Sequence, residues 1–66
     1  MTIVECRRKL GWSQSELSRL DPNTVRKAEN GQAVSSQTAL AIAEAFSEAF
    51  GRRILVEDIE GLSVVL

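Results

Sequence analysis

Asn23, Thr24, Arg26 and Lys27 crowd into five consecutive positions, and Asn30 follows about one helical turn later. An amide, a hydroxyl, a guanidinium and an ammonium make a set suited to nucleic acid. Asn pairs with adenine edges, Arg and Lys with guanine edges or phosphates, and Thr with either. On a helix advancing about 100° per residue, Val25, Ala28 and Glu29 fall on one side. Asn23 and Lys27 lie nearly opposite, flanked by Arg26, Asn30 and Thr24. The segment therefore has a dry face and a wet, cationic one, shaped to read a groove. An ordinary solvated helix face has much the same composition, so the surrounding elements must decide between the two.

Other chemistries find no footing. The chain has no His, no Tyr and a single Cys, and it lacks both a cluster with metal-ligand spacing and a Gly-rich phosphate loop. Cys6 stands at helical spacing with Ile3 and Leu10 and reads as a small buried hydrophobe, without a disulfide partner. Glu57, Asp58 and Glu60 surround one turn and read as a solvated face. The expectation is a protein with no catalytic residues, no metal and no cofactor, and so not an enzyme.

The elements that would carry the cationic face are marked by their ends. Asp21 is a good N-cap and Pro22 a good first helical residue, while Asn30-Gly31 supplies a left-handed stop, which predicts a helix over 22–30. Before it, Ser13 and Glu16 form an S-x-x-E capping box opening a helix over 13–20, with Leu17 and Leu20 as its apolar edge. A further helix is expected over about 2–10. Ser35 or Ser36 can cap a long one over 35–50 that ends at Gly51. That last helix is apolar on more than half its circumference and rich in Ala, with Leu40, Ile42, Ala43, Phe46 and Phe50 as core candidates. Residues 52–56 look extended, 56–60 can form one more helical turn, and 61–66 make an apolar tail.

Sixty-six residues make one domain, 1–66, with a core so small that packing must be economical or completed by a partner chain. There is no run of about 18 apolar residues to cross a membrane and no signal segment. The net charge of −1 argues against DNA, yet it hides an asymmetry. Residues 1–31 carry six cations against four acids, and residues 32–66 two cations against five acids. The positive half is the one that holds the groove-reading face.

From Cys6 to about Leu62 the chain resembles the Cro/phage-repressor type of helix-turn-helix domain, the XRE family. The resemblance rests on Arg7 four before Gly11, Trp12-Ser13-Gln14, Glu16-Leu17, Thr24-Val25, the Glu29-Asn30-Gly31 triplet, and the apolar helix holding Leu40, Ile42, Ala43 and Phe46. It implies an all-α fold, a compact four-to-five-helix repressor-like domain with room for a short C-terminal strand. It also implies a sequence-specific DNA-binding transcriptional regulator in a bacterial or phage cytoplasm, with helix 22–30 in the major groove of double-stranded DNA. Carried over by position, Gln14 would contact a phosphate, Asn23 and Lys27 would read bases with Thr24 and Arg26 adjacent, and Gln32 would touch backbone. Arg7 and Glu29 match a buried ion pair between helices, and Trp12 falls at an aliphatic plug position.

The chain also departs from the family. Its Ser-Gln and Glu-Asn-Gly signatures are about three residues closer than usual, and the Ala-Gly-Val-like turn between the two helices is missing. The favoured expectation is a second helix one turn short, with Leu20 plugging the core and Arg19 at the usual Gly position; the other is a turn collapsed onto Asp21. Pro22 stands where a polar base-contacting residue is common. The apolar tail either folds onto its own core or pairs with a second copy, and the latter predicts a homodimer through Leu62, Val64, Val65 and Leu66. The alternative function is a protein-interaction module on the same fold, antitoxin-like or accessory.

Overall fold

The computed structural model describes residues 1–17 and 21–65, and within them three α-helices are built: α1 (Ile3–Leu10), α2 (Pro22–Glu29) and α3 (Ser36–Phe50). Two single 3-10 turns, Gln14–Glu16 and Val56–Asp58, complete the regular structure. The count falls short of the four to five helices expected, because the second and last of those are reduced to 3-10 turns. The described residues form no strand, only isolated parallel bridges at Thr2 with Glu60 and Val34 with Val64.

Local chemistry explains where the helices start and stop. Thr2 opens α1 with a reciprocal box: its Oγ1 accepts from the Glu5 backbone N–H at 3.1 Å, and its own N–H donates to Glu5 Oε1 at 2.9 Å. The Thr2 backbone N–H on the Glu5 carboxylate stabilises its ionised form and holds its pKa below the usual value, with the Thr2 hydroxyl adding to the effect. Asp21 Oδ1 accepts from the Asn23 N–H at 2.8 Å to open α2, and Ser35 Oγ accepts from the Thr38 N–H to open α3. All three helices end in the same paired return. At α2, Gly31 N–H donates to Ala28 O and Gln32 N–H to Lys27 O. This geometry needs Gly31 at φ 82°, a conformation other residues adopt only at a cost.

The expected helix over 13–20 does not run that far. The Ser13 hydroxyl donates to Glu16 Oε1 at 3.0 Å instead of accepting a helix N–H. One 3-10 turn closes, and Leu17 is already extended at φ −75°, ψ 102°. Asp21, which precedes a proline and is biased away from helical geometry, stands at φ −57°, ψ 129°. The expected core role of Leu20 and the placement of Arg19 lie outside the described residues. Leu17, fully buried, is the anchor of this segment.

The core joins Ile3 and Cys6 of α1, Leu17, Val25 and Ala28 of α2, Val34, and Ala39, Ile42, Ala43 and Phe46 of α3, closed by Ile54 and Ile59. Trp12 stacks on Phe46 at 6.0 Å between ring centroids, and Phe46 meets a tilted Phe50 at 6.3 Å. The inward stripe of α3 runs 39, 42, 43, 46. Leu40, expected in the core, lies one residue off that stripe and is 54% exposed.

The tail folds back on its own chain. Val34 N–H donates to Ser63 O at 2.9 Å, Val65 N–H donates to Val34 O at 2.8 Å, and Leu62 and Val64 pack against the core. Of the two fates expected of the tail, the fold shows the first: Leu62 and Val64 are half-buried against the core, Val65 is exposed, and Leu66 lies outside the described residues. Ser47 pins the preceding segment, accepting from the Ile54 N–H at 2.8 Å with its hydroxyl 3.0 Å from Ile54 O. In and just after the second 3-10 turn, Asp58 Oδ2 accepts from the Leu55 N–H and Glu60 faces the N-terminal ammonium at 3.7 Å.

Candidate nucleic-acid interface

The short helix α2 is sealed on one side and open on the other. Val25 and Ala28 are buried against the core, while Asn23, Arg26, Lys27 and Asn30 are exposed together on the outer face. Thr24 is half-buried at the flank of that face. Gln32 is exposed just past the helix end, its backbone N–H spent on Lys27 O. Sealing one face removes rotational freedom, so the outer four side chains keep a fixed direction.

The orientation of α2 is set by a polar junction around Glu29. Arg7 Nε donates to Glu29 Oε2 and Gln14 Nε2 donates to Glu29 Oε1 at 2.8 Å, so each carboxylate oxygen has its own donor. The Arg7 guanidinium also donates through Nη1 to the Trp12 carbonyl at 3.1 Å. One carboxylate thus ties α1, the first 3-10 turn and α2 together. The side chains of Arg7 and Glu29 are only 17% and 8% exposed. No buried side-chain nitrogen or oxygen among the described residues lacks a partner.

Gln14 therefore does more than its sequence position suggested. One of its two amide N–H groups is held by Glu29. Nothing in the local sequence signals this contact, because it joins residues fifteen apart across an irregular segment. Asn23 and Arg26 are also linked: Arg26 Nη2 donates to Asn23 Oδ1 at 3.0 Å. That bond has a readable signal, since positions three apart share one helix face.

A short helix with a cationic amide face, sealed on its other side and braced by a part-buried ion pair to α1 and a hydrogen bond to the preceding turn, has the architecture of a helix-turn-helix domain. The chain belongs to the Cro/C1-type helix-turn-helix family, XRE: the family's model matches residues 3–51, from the start of α1 to the glycine that ends α3. This is a family of DNA-binding transcription regulators. No curated protein and no solved structure gave a match to the chain. Among the described residues, no helix is long and apolar enough to cross a membrane.

Proposed function

We propose that this chain is a sequence-specific transcriptional regulator that lays α2 in the major groove of double-stranded DNA and acts as a homodimer. The observation that carries the reading is the two-sidedness of α2, with Val25 and Ala28 sealed inside and Asn23, Arg26 and Lys27 exposed. In the groove, Asn23, Arg26 and Lys27 face base edges. Thr24 and Gln32 lie at the margins beside the backbone, and Gln14 uses its second amide N–H on a phosphate. Such a regulator works where its DNA is, in a bacterial cytoplasm or a phage-infected cell.

Size supports the pairing of two copies. A protomer measures 28 × 21 × 18 Å, and twofold dimers of this class address half-sites about 34 Å apart, so two protomers side by side reach successive turns of one DNA face. Because Leu62 and Val64 are spent internally, the contact falls to surface residues such as Val65, which is 59% exposed. Val65→Lys should convert the dimer to monomers in sedimentation at micromolar concentration. If the unaltered chain is itself monomeric there, and stays monomeric on DNA, the dimer is refuted.

Selection of bound duplexes from a random pool, at fixed salt, tests the groove reading. A motif should be enriched, and Asn23→Ala and Lys27→Ala should abolish it while leaving the thermal midpoint within a few degrees. If neither substitution changes selection, α2 is not the reading element and the fold serves protein interaction.

A further inference from the structure

On the exposed face of α2, Arg26 Nη2 and Asn23 Oδ1 meet in a hydrogen bond three residues apart. An arginine guanidinium carries donors only, so the atom that Arg26 meets at 3.0 Å must be the amide oxygen of Asn23. The orientation of the amide is thereby set: Oδ1 toward Arg26, and the two N–H donors of Nδ2 away from it.

Asparagine reads adenine by using both ends of its amide, Nδ2 donating to N7 while Oδ1 accepts from the N6 amino group. In this chain Arg26 takes one of the two lone pairs at the accepting end and sets its positive charge beside the other. What remains on the N-terminal part of the outer face is a row of donors: Asn23 Nδ2, the remaining guanidinium N–H groups of Arg26, and the Lys27 ammonium. Thr24, whose hydroxyl can both donate and accept, is half-buried at the flank. Pro22 has no polar side chain, and Asp21 Oδ1 is held on the Asn23 backbone N–H. In the major groove, guanine presents two adjacent acceptors, N7 and O6, whereas adenine and cytosine each present an amino donor. A donor row matches the first, finds on thymine only the single acceptor O4 beside a methyl group, and is opposed by the amino groups of adenine and cytosine.

We propose that α2 selects guanine at the base pair facing Asn23, with Arg26 as the residue that imposes this by holding the Asn23 amide in its donor orientation. The proposal rests on α2 being the groove-reading helix. A base read by a bidentate pair is preferred over the wrong one by about tenfold or more, and that is the scale expected here.

The test is selection from a random duplex pool with the unaltered chain, Asn23→Ala, and Arg26→Met, which keeps the aliphatic stem and removes every donor. Because Arg26 is exposed, helicity and thermal midpoint should be preserved, and both are measured alongside; Arg26→Ala is carried as a second variant. The unaltered chain should enrich guanine at one position that Asn23→Ala no longer discriminates. Freed of Arg26, Asn23 can again accept from N6, so Arg26→Met and Arg26→Ala should move that position toward adenine by about tenfold in relative affinity. Adenine at the Asn23-dependent position in the unaltered chain, or a preference unmoved by both Arg26 variants, overturns the proposal while leaving groove reading intact. Absence of any enriched motif overturns groove reading itself, and the proposal with it.

Discussion

Replacing Arg7 by Ala should be the most damaging polar substitution in this chain, and the structure allows its cost to be worked out. Arg7 supplies the donor to Glu29 Oε2 and a second donor to the Trp12 carbonyl. Its removal leaves a carboxylate that is only 8% exposed with the single Gln14 donor at its other oxygen. Breaking a buried pair by removing one partner costs about 3–5 kcal/mol. The surviving Gln14 bond and the nearby surface place the expected loss near the lower end, about 3 kcal/mol. A domain of this size has roughly 3–10 kcal/mol in total and shifts its Tm by about 4–8 °C per kcal/mol, so the midpoint should fall by roughly 12–24 °C. Glu29→Ala should cost less, about 2 kcal/mol, because the guanidinium left behind is closer to water at 17% exposure. The double variant should then be clearly less damaging than the two single losses added together, since the stranded charge is gone. Gln14→Ala should cost about 1 kcal/mol, the worth of one hydrogen bond. Urea denaturation of the four proteins, fitted with a common slope, measures all of this. An unchanged Arg7→Ala midpoint, or single effects that simply add to within about 0.5 kcal/mol, would refute the junction as the brace of α2.

Other expectations follow from single positions. Leu17→Ala should cost about 3–4 kcal/mol because that side chain is fully buried, whereas Leu40→Ala, at an exposed site, should stay within about 0.5 kcal/mol by the same denaturation assay. Gly31→Ala meets nothing within 4 Å but must hold φ 82°, so a loss of about 1 kcal/mol is expected from backbone strain alone. Burial raises the pKa of the Cys6 thiol. The folded chain therefore keeps its proton where an unfolded thiol has lost it, and stability should decline as pH rises beyond about 8.5 toward the raised folded value. Cys6→Ser should flatten that alkaline limb, and an unchanged limb would exclude the thiol as its cause. Lys27→Ala should lower the slope of log affinity against log salt by about 1 if its ammonium rests on a phosphate, and leave it unchanged if it rests only on a base edge.

The ends of the three helices were legible to within a residue because caps are short-range chemistry. Asp21-Pro22, Asn30-Gly31 and Ser35 each act on backbone groups a few positions away. The shortened second element was legible as a deficit of residues but not as a single 3-10 turn. Ser13 had two uses for its hydroxyl, and only the folded geometry shows it turned to Glu16. Leu40 misled because α3 is apolar around more than half its circumference, so periodicity alone could not choose between it and Ala39. The outer face of α2 could be read from the helix wheel, since Asn23, Arg26 and Lys27 share one side by spacing. The hold of Gln14 on Glu29 could not, and neither could the return of the tail, whose apolar residues suit a partner's surface and their own core equally well.

That return has a consequence for how the molecule comes into being. Glu60 N–H donates to Met1 O beside the Thr2–Glu60 bridge, and residues 63 to 65 pair with Val34. Closing a loop that spans nearly the whole chain costs roughly 2 kcal/mol more than closing one of eight residues, and nothing offsets it until the last segment has been made. On a ribosome, α2 and the Arg7–Gln14–Glu29 junction that orients it are therefore synthesised before residues 60–65, which close the frame around them. A nascent chain halted before residue 60 thus holds α2 and its junction complete, while the pairing of Glu60 with Met1 and of residues 63 to 65 with Val34 is still to be made.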